Sequence, residues 1–210
     1  MRERVEIIVL KYKNPDVEIP CLVSLVRNTD WPYVLTVYDN RNGTKNMAQL
    51  WNRLIKESHE EYIVLLDSDT KVDVQWLTRM MEVMKSVPNC GVVVPRTNYC
   101  AETLQVKASP DGSPLQIVHG LVSGFCFLLR LKAYTEVGDF DEEFGFYGQD
   151  SEYFVRMAKR SRWNVHLQPK AYVFHYGQYS VKNRDSEEVY DFAADKSRAL
   201  ELYHQKTAGY

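Results

Sequence analysis

Apolar positions in the first hundred residues follow two alternating patterns. Val5 to Leu10, Tyr33 to Tyr38, Tyr62 to Leu66 and Val92 to Val94 are continuous runs rich in branched residues. Such runs read as strands covered on both faces. Between them, Ile19 to Val26, Met47 to Ser58 and Val74 to Ser86 carry apolar residues at helical spacing, at 47, 50, 51, 54 and 55 and then at 76, 77, 80, 81 and 84. Asn14-Pro15-Asp16 reads as a turn before the first helix, and Arg41-Asn42-Gly43 as a loop. The alternation β-α-β-α-β-α-β predicts an α/β fold, a Rossmann-like, mainly parallel central sheet with helices on both faces.

The second half changes character. Asn98 to Pro114 is polar, contains Asp111-Gly112 and reads as an exposed loop. Leu115 to His119 and Phe125 to Leu129 read as strands of a smaller, mixed sheet flanking Gly120 and Gly124. Gln149 to Lys159 is a predicted helix with an apolar stripe at 153, 154, 157 and 158. Tyr172 to Phe174 is a short strand, and Glu187 to Gln205 a charged amphipathic helix. No repeat, low-complexity linker or composition break divides the chain. We therefore read residues 1–210 as one domain, with parts 1–100, 101–185 and 186–210.

Composition narrows the partners more than the fold. A net charge of −2 gives no electrostatic reason to expect nucleic acid. No apolar run is long enough to span a bilayer, and the N-terminal residues lead directly into a strand-like run rather than a signal segment. The expectation is a cytoplasmic protein, with peripheral attachment to a membrane left open. Cys21, Cys90, Cys100 and Cys126 contain no Cys-x-x-Cys pair, which argues against a zinc or thioredoxin-type site and for unpaired thiols.

Five acidic or imidazole positions remain that folding does not demand. Asp67-Ser68-Asp69 follows a buried strand, the edge of an open α/β sheet where ligands bind. Two hard oxygen donors there suit a divalent cation and a phosphate, although a turn or helix cap would also use them. Asp39 ends the preceding strand, expected beside the strand of Asp67, and fits either a ribose or base contact or a plain turn. Asp150 opens a helix after Gly145-Phe146-Tyr147-Gly148, a place where a rigid element can hold a general base; its bland role is a favourable charge at a helix N-terminus. His175 ends a strand, and an imidazole beside a carboxylate suits Mn²⁺ better than Mg²⁺.

These motifs together resemble family 2 glycosyltransferases of the GT-A fold. The resemblance runs from Ile8-Val9-Leu10-Lys11-Tyr12 through Tyr38-Asp39-Asn40, the asparagines Asn46 and Asn52, and Leu66-Asp67-Ser68-Asp69. It continues through Gly138-Asp139-Phe140-Asp141-Glu142-Glu143-Phe144 and Gly148-Gln149-Asp150-Ser151-Glu152 to Trp163, Pro169 and His175. Gln149 and Glu152 depart from the family's usual glutamate and aspartate. The resemblance implies an inverting transfer of a sugar from a nucleotide-diphosphate donor (UDP, GDP or dTDP type) to a glycan, lipid-linked or other hydroxyl acceptor. It implies a divalent metal ion, Mn²⁺ or Mg²⁺, on Asp69 and His175 with Asp67. It also implies a nucleotide held by Leu10, Tyr12, Asp39, Asn46, Asp67 and Ser68, substrates beside Gly124, Phe125, Gln149 and Lys182, and Asp150 as base. The smaller sheet then becomes the acceptor side.

Two other readings compete. Asp67-Ser68-Asp69-Thr70 also resembles the first motif of haloacid-dehalogenase-type phosphatases, but Lys71 and the two preceding β-α units do not fit it. A non-catalytic nucleotide-sugar or glycan-binding module would account for Gln149. A phosphate loop of the P-loop or pyrophosphorylase kind is missing from the sequence.

Overall fold

The computed structural model describes residues 3–12, 14–41, 43–101, 103–117, 122–177 and 190–210. In chain order the elements are β1 (Val5–Lys11), α1 (Pro15–Asn28), β2 (Tyr33–Asp39), α2 (Met47–Glu57), β3 (Tyr62–Asp67), β4 (Thr70–Val72), α3 (Trp76–Ser86) and β5 (Cys90–Arg96). They continue with α4 (Thr103–Lys107), β6 (Leu115–Ile117), β7 (Cys126–Arg130), α5 (Leu131–Val137), α6 (Gln149–Arg160), β8 (Asn164–His175) and α7 (Phe192–Thr207).

The strands form one sheet in the order β2-β1-β3-β7-β5-β8-β4, with β6 on β8. β1 pairs in parallel with both β2 and β3, and β5 with β8. β7 is inserted between β3 and β5 and runs antiparallel to both. Side chains alternate across the sheet, so Ile63 and Leu65 of β3 join Trp51, Leu54 and Tyr153 of α2 and α6 in one core layer. Tyr62, Val64 and Leu66 join Leu25, Trp76 and Met80 of α1 and α3 in the other. This three-layer packing is the predicted α/β architecture.

The position of β2 departs from expectation. β2 and β3 are not neighbours, because β1 lies between them. Right-handed crossovers explain this: α1 packs on one face as the chain moves from β1 to β2. α2 packs on the opposite face as the chain returns past β1 to β3. The reversal makes the β1/β3 boundary a switch point, the place where such sheets bind ligands at their strand ends. Asp39 therefore stands one strand further from Asp67 than the sequence suggested.

Other differences are local. Helix α1 begins at Pro15, where a turn was expected; a proline at the first helical position needs no amide partner. The expected loop 98–114 contains α4, and its Gln105 is wholly buried. The short strand at 172–174 is the end of twelve-residue β8, whose register shifts near Pro95 and Arg96 against Gln168 and Tyr172. The last helix starts at Phe192, capped by Asp191 Oδ1, which accepts from the amides of Ala193 and Ala194 at 3.1 and 2.9 Å. Positions 187–189 of that expected helix lie outside the described residues, as do 118–121 of the segment after Leu115. None of the four cysteines is in a disulfide: Cys21, Cys90 and Cys126 are buried and Cys100 is half-buried. Among the described residues no helix is long and apolar enough to cross a membrane.

One buried side chain joins the halves. Asn52 on α2 accepts from the Phe140 amide at 2.8 Å and donates to the Phe140 carbonyl at 2.9 Å. It also accepts from the Tyr134 hydroxyl at 3.1 Å. Asn52→Ala strands the amide and carbonyl of Phe140, each costing about 1–3 kcal/mol when buried without a partner, while the Tyr134 hydroxyl keeps Asp139 Oδ1 at 2.9 Å. Urea unfolding is expected to show a loss of about 2–4 kcal/mol, and a loss below about 1 kcal/mol would refute this role.

Candidate active site

Two strand ends build the acidic cluster. β3 delivers Asp67 at its C-terminal end, and the chain then turns through Ser68 and Asp69 into β4. β4 pairs antiparallel with the end of β8, so that Thr70 lies opposite His175. The Tyr176 amide donates to the Asp69 carbonyl at 2.9 Å, closing the same corner. One ligand atom from each of Asp67, Asp69 and His175 lies within 4.8 Å of the others. His175 Nε2 is 3.4 Å from Asp69 Oδ1.

The surroundings fix the imidazole. His175 Nδ1 lies 2.9 Å from the Tyr99 carbonyl, which only accepts, so Nδ1 carries a proton and Nε2 is aimed at Asp69. The Asn98 side chain holds the backbone on both sides: it accepts from the His175 amide at 2.8 Å and donates to its carbonyl at 3.1 Å. The Phe125 ring stacks on the imidazole, 4.7 Å between centroids and 13° between planes. This is the outer support that metal-binding histidines use.

Electrostatics also favour a cation. Burial raises the pKa of Asp67, and the Asp69 carboxylate raises it further. Burial disfavours the charged imidazolium of His175, but Asp69 and Asp67 outweigh it and the net shift is upward. Two crowded carboxylates and an imidazole aimed at one point therefore compete for a proton or a metal. The donor set fits a divalent cation.

The second feature is Asp150, in the first turn of α6. Its Oδ2 accepts from the Gly124 amide at 2.7 Å and its Oδ1 from the Ser151 amide at 2.8 Å. Burial raises its pKa, and these amide bonds oppose the rise. Gly124 has no room for a side chain: a Cβ there would lie 2.8 Å from Asp150 Cβ. The next residue, Phe125, accepts from the Asp67 amide through its carbonyl at 2.9 Å. The two-residue strip Gly124-Phe125 thus touches Asp150 at one end and the Asp67/Asp69/His175 cluster at the other.

The β1 and β2 ends form a third region. The Tyr12 hydroxyl bonds the Lys45 ammonium, which also lies 4.1 Å from the ring centroid. Exposed Asp39 is held by Arg41, whose guanidinium keeps its pKa low; Arg41 Nη2 is 2.6 Å from Asp39 Oδ2. Leu10 packs into the core and offers a ligand only its backbone. Asn46 caps α2, accepting from the Gln49 amide at 2.9 Å and donating to the Glu142 carbonyl at 2.8 Å. Ser68 is buried between the two aspartates. Gln149 is buried beside Asp150, and its Oε1 has no partner among the described residues. Lys182 lies outside the described residues.

Several supporting residues carry no sequence signal. Glu18 is buried on α1 and accepts from the amides of Tyr12 and Asn14 at 2.8 and 3.1 Å, ordering the loop after β1. Gln105 accepts from the Ser123 amide at 2.6 Å, next to Gly124. Asn98 and Tyr99 belong to the stretch expected to be a loop. Only its density of polar residues ahead of a glycine-bounded strand marked it, and that did not single them out.

This sheet order, with an acidic cluster at the β3 end and a carboxylate opening α6, defines a GT-A fold. Solved structures agree. The mannosyltransferase PcManGT from Pyrobaculum calidifontis, in complex with GDP-Man and Mn²⁺, superposes with a TM-score of 0.69 at 13% identity. That match covers 99% of this chain and 65% of that one. TarS 1-349 of S. aureus, in complex with UDP-GlcNAc, gives 0.68 at 14% identity over 98% of this chain and 66% of that one. An N-acetylglucosaminyl-diphospho-decaprenol L-rhamnosyltransferase of Mycobacterium tuberculosis is 31% identical over 91 residues, 43% of this chain and 28% of that protein's length. The family profile described as Glycosyl transferase family 2 matches residues 3–149. The chain belongs to that family, and the phosphatase reading falls.

If Asp69 and His175 both contribute ligands, Asp69→Asn and His175→Ala should each weaken Mn²⁺ binding to the protein by at least about tenfold, an effect at least that of losing an outer-shell partner. Titration followed by the electron paramagnetic resonance of free Mn²⁺ measures this, with circular dichroism to check the fold. Unchanged affinity in both variants would remove the cluster as a metal site.

Proposed function

We propose that this chain transfers a sugar from a nucleotide-diphosphate sugar to an acceptor hydroxyl, with inversion at the anomeric carbon. The observation that carries the reading is the Gly124-Phe125 strip, which touches the half-buried Asp150 carboxylate at one end and a cation-ready cluster at the other. Family membership supports the transferase class, and structural neighbours that bind GDP-Man with Mn²⁺ or UDP-GlcNAc support the donor type.

In this reading the nucleotide lies over the ends of β1, β2 and β3, with Tyr12 against the base and Asp39 and Asp67 near the ribose. Lys45 sits beside Tyr12 and adds positive charge. A divalent ion on Asp69 and His175 would supply charge neutralisation for the departing diphosphate. Asp150 takes the proton of the acceptor hydroxyl while that oxygen bonds the anomeric carbon on the face opposite the leaving group. General-base help of this kind is worth roughly 10²–10⁴-fold. The single displacement forms no covalent intermediate with the protein, so no nucleophile is required. The acceptor is a hydroxyl on a glycan or a lipid-linked carrier; the name of the mycobacterial relative contains a lipid diphosphate. A lipid-linked acceptor would bring the protein to a membrane surface.

The direct test is a thermal-shift screen of UDP, GDP and dTDP with and without Mn²⁺, followed by transfer assays. Ligand at one hundred times its dissociation constant stabilises by about 2.7 kcal/mol, an easily visible shift. The stabilising nucleotide is expected to lose affinity in EDTA. Binding without any transfer or donor hydrolysis would instead identify a binding module.

Asp150→Asn should reduce transfer by at least about 10²-fold while nucleotide binding persists. Because burial raises the Asp150 pKa, the base is lost on acidification at a higher pH than an ordinary aspartate, about 3.9. The acid limb of kcat should therefore lie above that value. Full turnover of the variant, or an acid limb at or below it, would count against Asp150 as base.

A further inference from the structure

Helix α7 grips the segment that leads into Asp150. Asp195 Oδ2 accepts from two successive amides, Phe146 at 2.9 Å and Tyr147 at 3.2 Å. The Tyr190 hydroxyl bonds the same carboxylate. Gly145 fits the contact because it lacks a side chain: a Cβ there would lie 2.2 Å from Asp195 Oδ1. The Phe146 ring stands edge-on to Phe192, 5.0 Å between centroids at 89°. On its other side the segment is tied to α2, where the Met47 amide donates to the Gly145 carbonyl at 3.1 Å.

We propose that Asp195 is a positioning residue for Asp150, acting through the backbone of residues 145–148; this rests on the reading of Asp150 as the base. The amides of Phe146 and Tyr147 lie in an irregular stretch between α5 and α6, where a carboxylate that accepts both replaces the missing ladder or helix partner. Gly148 then caps α6, and Asp150 lies in its first turn. A shift of the lead-in is passed directly to the carboxylate that the Gly124 amide holds. Misplacement of a reacting group by about 1 Å can cost as much as 10²-fold in rate. The family profile ends at residue 149, so the helix that supplies this support lies beyond what it describes.

The experiment compares the full chain with Asp195→Ala, Asp195→Asn and Gly145→Ala. Asparagine keeps one oxygen able to accept both amides; alanine keeps none. Gly145→Ala attacks the same contact from the opposite side. The first readout is amide hydrogen exchange, followed at 144–148 and at Gly124, whose amide reports the position of Asp150. Asp195→Ala and Gly145→Ala should speed exchange at both places by about tenfold or more, while Asp195→Asn stays near wild type. The second readout is UDP or GDP release from UDP-GlcNAc or GDP-mannose with Mn²⁺. There Asp195→Ala should lower kcat by about tenfold or more with KM nearly unchanged. The double variant Asp195→Ala/Gly145→Ala should be little worse than either single one, since both break one contact. Unchanged Gly124 exchange in Asp195→Ala overturns the proposal, as does unchanged kcat in an active enzyme or an Asp195→Asn as impaired as alanine. A wild-type protein that releases neither nucleotide counts against these two donors, and the exchange at Gly124 then decides the clamp alone.

Discussion

The close approach of the Gly124-Phe125 backbone to Asp150 and Asp67 is the constraint on which the site depends. Three interactions converge on two residues: the Gly124 amide on Asp150, the Phe125 carbonyl on the Asp67 amide and the Phe125 ring on His175. A side chain at Gly124 would meet Asp150 at less than van der Waals distance, so the approach exists only because that position has none. β7 begins immediately afterwards, at Cys126, and its antiparallel pairing with β3 locks the strip in register with the strand that carries Asp67. The antiparallel insertion in an otherwise mainly parallel sheet is therefore what brings the two halves of the chemistry together.

The cluster is costly to fold without charge compensation. Asp67 and Asp69 crowd each other, and Asp150 adds to the field at Asp67. Such repulsion is tolerated where charge will later be neutralised, which is why perturbed groups of this kind collect at functional clefts. His175 is fixed by its neighbours in a comparable way. Tyr99 takes one ring nitrogen, Phe125 covers a face, and the remaining nitrogen has one direction left, toward Asp69.

The sequence made some of this legible and left the rest unread for physical reasons. Strand runs and helical spacing revealed β1, β2, β3, α2, α3 and α6, because burial on one or both faces imposes a period. Asp67, Asp69, Asp150 and His175 stood out as polar groups at element ends. What periodicity cannot express is which ends meet. It did not show that β1 separates Asp39 from Asp67. It did not show that β8 runs through Pro169 and Lys170 to set His175 opposite Thr70. Buried polar supports escaped for a related reason: Glu18, Gln105 and Asn98 resemble surface residues until the backbone amides they satisfy are known.

The two sides of the candidate site are built in different ways. The side of Asp67 and Asp69 is made of strand ends, and neighbouring strands fix their positions through many cooperative ladder bonds. The side of Asp150 is entered through an irregular stretch, 138–148, suspended by individual side chains from distant elements. Asn46 and Asn52 reach it from α2, and Arg156 ties it from α6 through the carbonyls of Val137 and Asp139 at 2.9 and 2.7 Å. From α7, Lys206 pairs with Asp141 and Glu143 at 2.7 and 2.8 Å. A strand cannot shift without breaking its whole ladder, whereas a suspended segment shifts when one tether changes. The half that carries the acidic cluster is therefore the stiffer frame. The segment before Asp150, together with the helix that braces it, is the part that the loss of a single tether can move.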